Sequence, residues 1–135
     1  MQFPKKYGAG EAPPEVLALV ERLVPSLISG DHPALAALRG QFRRARIREV
    51  ELTGVGFYVD FDIPADSPLA VPSDFTGGSA TITLEGASHG AGCVLFVRDG
   101  RLATLECYTY ADSWPEHARV LAVDDIVPIS PTQAG

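Results

Sequence analysis

Glu106, Tyr108, Tyr110 and Cys93 come closest, among the residues of this chain, to a set whose types and spacing could do chemistry. They fall on two consecutive segments that read as strands, at alternating positions that set a carboxylate, two phenols and a thiol on one side of a sheet. A carboxyl among apolar neighbours has its pKa raised by desolvation unless a donor pairs with it. Such a group serves as a general base or as the polar anchor of a ligand pocket. The plainer alternative is a glutamate hydrogen-bonded to a helix arginine for structural reasons. Arg39, Arg43 and Arg46 form a second set, sharing one side of a helix for as long as that helix lasts. Clustered positive charge of this kind suits phosphate, an acidic protein surface, or an acidic sheet of the same molecule. Trp114, just after Asp112 in a turn, either contacts a partner or plugs the end of the sheet.

No other group completes a constellation. A Cys–His nucleophilic pair would need His89 or His117 beside Cys93 or Cys107, and nothing supplies a third, orienting group. The histidines and cysteines lack HxxxH or CxxC spacing, so no metal and no cofactor is expected. Gly54-Val55-Gly56 and Gly90-Ala91-Gly92 are fragments of a phosphate loop. Neither completes GxGxxG or opens a helix, so both read as turns. Two cysteines are too few for a disulfide scaffold.

The elements that position these residues follow from periodicity. Residues 1–12 carry none and read as a flexible N-terminal arm. Val16, Leu17, Val20, Leu23, Val24, Leu27 and Ile28 then repeat at helical spacing, through Pro25, which predicts a kink rather than a stop. Asp31 is placed to cap a second helix that starts near Pro33 and buries Leu35, Leu38 and Phe42. The short link between the two predicts a tight αα corner. From residue 46 the period drops to two: strands are expected over 47–52, 55–63, 79–85 and 92–110, with an edge strand and a helical turn over 120–129. The long connection 64–78 folds back in part through Leu69, Val71 and Phe75 and is a candidate lid. Helices first and strands afterwards give an α+β fold, an N-terminal αα corner packed on an antiparallel β-meander of about five strands. The domain is expected to span 13–129, with a C-terminal tail over 130–135.

Asp99-Gly100 predicts a type I′ turn closing the 92–110 hairpin. A two-residue loop makes opposed residue numbers sum to 199. Val94, Phe96, Ala103, Leu105 and Cys107 then face the core, while Cys93, Leu95, Val97, Leu102, Thr104, Glu106, Tyr108 and Tyr110 face outward. Cys93 and Cys107 fall on opposite sides and cannot be bridged. The same hairpin, Leu95-Phe96-Val97-Arg98-Asp99-Gly100-Arg101-Leu102 followed by Leu105-Glu106 and Tyr108, resembles the signature hairpin of a family of small bacterial proteins, "dG-x-L-x-x-L-E-x-Y". The resemblance implies a small α+β fold and assigns no activity and no catalytic residues.

The 135 residues carry 11 Lys+Arg and 17 Asp+Glu, a net charge of −6. Residues 1–48 hold eight basic and four acidic side chains, and residues 49–135 hold three and thirteen, so the chain is +4 then −10. An overall pI near 4.9 argues against nucleic acid as partner. No run approaches the about 18 apolar residues of a membrane span. The N-terminus leads into no apolar secretory region, so a cytoplasmic location is expected. These features point to a non-enzymatic module that binds a protein partner or a second copy of itself, immunity- or adaptor-like in role. The alternative is a small-ligand binder or hydrolase-type enzyme with a pocket over Glu106, Tyr108 and Tyr110.

Overall fold

The computed structural model describes residues 2–116 and 119–131. The apolar stripe of the first helix sets the architecture. In α1 (Pro14–Leu27), Leu23, Val24 and Leu27 are fully buried against the sheet. Pro25 lies on the exposed side and does not end the helix, since the carbonyl it leaves unbonded can take water there. The C-terminal carbonyls of α1 are claimed from outside. The Arg39 guanidinium donates to the carbonyls of Ile28 and Gly30, both at 2.9 Å, and the Ile129 N–H donates to Leu27 at 2.7 Å. These bonds fix the αα corner with α2 (Pro33–Arg44). The cap of α2 is His32 rather than Asp31: its Nδ1 accepts from the Ala34 N–H at 3.0 Å.

The strands are more numerous than the five expected. They are β1 (Lys5–Gly8), β2 (Arg46–Leu52), β3 (Gly56–Asp62), β4 (Phe75–Thr76), β5 (Ser79–Leu84), β6 (Ala87–Arg98), β7 (Arg101–Thr109), β8 (Val120–Val127) and β9 (Ser130–Pro131). Seven form one antiparallel sheet in the order β1-β2-β3-β7-β6-β5-β8, and β4 pairs with β9 as a separate ribbon. Within the segment read as an arm, Lys5–Gly8 forms the edge strand beside β2, and at the other end Ser130 and Pro131 join the ribbon. Both helices pack on one face of the sheet, so the fold is α+β in two layers.

A buried glutamine ties the layers together. Gln41, 1% exposed, donates from Nε2 to the carbonyls of Gly100 (2.8 Å) and Pro68 (3.0 Å) and accepts from the Leu102 N–H (3.0 Å). The 64–78 connection therefore lies against the hairpin tip, where the Ala70 N–H also reaches the Gly100 carbonyl. Asp99 and Gly100 adopt φ of 51° and 76°, the conformation expected of a type I′ turn.

Beyond that turn the expected register fails. Arg98 faces Arg101 and Val97 faces Leu102, as the sum of 199 requires; from there Phe96 faces Thr104, Leu95 faces Leu105 and Cys93 faces Cys107. Ala103 is the extra residue of a β-bulge, and one extra residue inverts the alternation of everything after it on the opposing strand. Cys93 and Leu95 are consequently buried in the core, whereas Val94 and Phe96, expected inside, lie on the outer face. The two cysteines share one face rather than opposing faces, and both are free.

Candidate functional site

The sheet face away from the helices is where the outward side chains converge. Pairing sets Glu51, Tyr58, Glu106, Val94 and Ser79 in one row across five strands, with Lys6 beside Glu51 at the edge. The next row runs Glu49, Asp60, Thr104 and Phe96. On the other side of the first, Tyr108 stands between Gly56 and Gly92. The strands present these groups because their alternate positions, Val50, Phe57, Val59, Leu105 and Cys107, are committed to the core.

Glu106 is half-buried, and its partner is Tyr58 rather than a helix arginine: the phenol donates to the carboxylate, which raises the Tyr58 pKa above the usual phenol range. Asp60 accepts from Thr104 Oγ1 at 2.8 Å and meets Arg48 at 3.6 Å, while Lys6 and Glu49 are 4.0 Å apart. Glu51 and Glu106 form no ion pair among the described residues. Tyr108 and Tyr110 meet edge to face with centroids 5.8 Å apart. Burial and the nearby Tyr110 and Glu106 raise the Tyr108 phenol. Gly92 makes room for the pair: a Cβ there would lie 2.8 Å from the Tyr110 hydroxyl and 3.1 Å from that of Tyr108.

Three of the four residues expected on this face, Glu106, Tyr108 and Tyr110, are thus brought together, and Tyr58, Glu51 and Asp60 join them. Cys93 is not among them. It lies in the core against Cys107, whose thiol burial pushes well above its ordinary range. Tyr58 was within reach of the sequence, since Phe57, Val59 and Phe61 alternate inward around it. Its pairing with Glu106 depends on a contact between β3 and β7, distant in the chain, that no local pattern encodes.

The expected arginine set is divided. Arg39 is used on the end of α1, Arg43 is exposed, and Arg46 falls after the helix, opposite Asp62 in β2. Arg44 pairs with Asp66 at 2.9 Å. These groups lie in or beside the helix layer, and no ion pair among the described residues joins α2 to the outer sheet face. Trp114 is half-buried at the sheet's end, edge-on to Phe57 with centroids 5.2 Å apart. The exposed His89 backbone N–H and Nδ1 both lie 3.2 Å from Asp112 Oδ2, contacts that lower the Asp112 pKa. His117 lies outside the described residues.

Two clefts lie away from Glu106. One, about 400 Å³, adjoins Arg44, Arg46, Asp62 and Pro64. The other, about 390 Å³, opens beside Trp114 at the β1 end of the sheet. Among the described residues no cluster of three or more His, Cys, Asp or Glu side chains could hold a metal, and no helix is long and apolar enough to cross a membrane. Comparison with models of protein families, with curated proteins and with solved structures finds no match to this chain.

Proposed function

We propose that this protein is a non-enzymatic protein-binding module, adaptor- or immunity-like, whose open sheet face takes a basic segment of a partner protein. The observation that carries the reading is the row Glu51–Tyr58–Glu106 on a seven-stranded sheet covered by helices on its other face alone. Carboxylates flanking an aromatic ring suit lysine and arginine side chains, which gain both charge pairing and contact with the ring face. A symmetric dimer through this face would set carboxylate against carboxylate, which disfavours self-association there. Nucleic acid is disfavoured for the same reason, with Arg39 and Arg44 already engaged inside the molecule. Membership of the bacterial family that the hairpin resembles, and a cytoplasmic location, belong to the same proposal. Two free thiols facing each other suit a reducing compartment.

The test is a titration of the labelled protein with an extended Lys/Arg-rich peptide, followed by amide shifts. Perturbations concentrated on Tyr58, Glu106 and Tyr108, and abolished in Glu51→Lys/Glu106→Lys with the fold intact, are the expected result. Shifts confined to the helices, binding unchanged in the double variant, or a concentration-dependent dimer that buries this face would each overturn the proposal.

A further inference from the structure

The open sheet face does not present its carboxylates equally. Its own cations already serve two of them: Lys6 Nζ lies 4.0 Å from Glu49, and the Arg48 guanidinium lies 3.6 Å from Asp60. Glu51 and Glu106, by contrast, have no ion pair among the described residues. They stand on either side of Tyr58 in one row, Glu51 on β2 and Glu106 on β7. Neighbouring strands lie about 4.8 Å apart, so roughly 10 Å separates the two backbone positions, with the ring between them.

The ring is an independent feature of the row. Tyr58 is 37% exposed, and its phenol donates to Glu106, which fixes the direction in which the ring leans. Tyr108 and Tyr110 meet each other and Lys5 lies over Tyr7, yet among the described residues no ring and no cation rests on Tyr58. The phenol takes one acceptor position of Glu106 and leaves the others of that carboxylate to a further donor. A cation that completes this row must lie flat on a ring and donate in two opposed directions. Guanidinium is planar, carries five N–H donors in a fixed fork and stacks on aromatic faces. An ammonium is a compact, strongly hydrated point charge without that plane or fork.

We propose that the row Glu51–Tyr58–Glu106 is an arginine site: one guanidinium of the partner's basic segment lies on the Tyr58 ring and donates to both carboxylates. The inference rests on the protein-binding reading above and narrows the partner to a segment with arginine, rather than lysine, at the contact. The assay titrates the labelled protein with hexaarginine and hexalysine, peptides of equal charge, and follows amide shifts. Hexaarginine is expected to bind more tightly by about fivefold, with shifts centred on Tyr58 and Glu106. Tyr58→Leu is expected to bring the ratio close to one while hexalysine binding changes little, since both carboxylates remain. Glu51→Gln keeps the ring, is expected to lower the ratio in part, and supplies the test should Tyr58→Leu lose its fold by circular dichroism. Equal binding of the two peptides, or a ratio unchanged in either folded variant, would overturn the arginine site and leave the basic-segment reading standing. No binding of either peptide, or shifts away from this face, would overturn that reading and the site with it.

Discussion

At the scale of the residue, the phenol of Tyr58 is altered by its setting on the open face. Its bond to Glu106 favours the protonated phenol, so its titration is displaced upward. An acid held protonated by the fold stabilises it below the phenol's ordinary range, and that contribution is lost as pH rises through the displaced value. Absorbance titration at alkaline pH is expected to show Tyr58 and Tyr108 displaced upward in the parent, with Tyr58 returned toward the usual range in Glu106→Gln. An unchanged curve would mean that the phenol and carboxylate are not bonded. The cysteines supply a second expectation. Both are about 1% exposed and lie on the core face, so a thiol reagent should modify neither in the folded protein and both once denaturant is added. Rapid native labelling of one thiol would contradict the inward placement of that side chain.

At the scale of the element, most of the layout was legible because it rests on local periodicity. The stripe of α1 through Pro25, the alternation of Phe57, Val59 and Phe61, and the positive-φ pair Asp99-Gly100 each carry their own signal and appear where that signal puts them. The hairpin's inside and outside were misread because a strict two-residue alternation cannot bury both Leu102 and Leu105, and both are buried. Two large apolar residues three apart in a strand were the visible mark of the bulge at Ala103. Strand β1 left no such mark, since Lys5-Lys6-Tyr7-Gly8 is polar and gains its pairing from β2. Deleting Ala103 removes only the unpaired residue and leaves Leu102 and Leu105 inward and Glu106 outward in a regular ladder, so we expect cooperative thermal unfolding to be retained. Gln41 was equally hidden, because a glutamine on a helix reads as surface until its three partners are known. In Gln41→Leu the Leu102 N–H and the Gly100 carbonyl lose a buried partner, at a cost of about 3 kcal/mol measurable by urea denaturation.

At the scale of the whole molecule, charge and layering coincide. Arg39, Arg43 and Arg44 belong to the helix layer, while Glu49, Glu51, Asp60 and Glu106 stand on the opposite sheet face. The expected attraction between a basic helix and an acidic sheet is thus replaced by a two-sided molecule, with Arg39 bonded to chain carbonyls, Arg44 to Asp66, and Arg43 exposed. Affinity for a basic peptide is accordingly expected to fall steeply between low and physiological salt, as exposed charges are screened beyond about 10 Å at 0.1 M. An affinity indifferent to salt would point to apolar contact through Phe96 and Val94 instead. The far edge of the sheet has a separate bearing on how the protein behaves in a crowded solution. Strand β8 exposes Leu121, Ile126 and Val127, yet its register with β5 slips twice, and Asp125 sits at φ 49° where the second slip occurs. An apolar rim that were also straight would recruit further strands end upon end; the kinks and the aspartate pair Asp124-Asp125 deny newcomers a matching ladder, so the chain can carry a greasy border without seeding fibres.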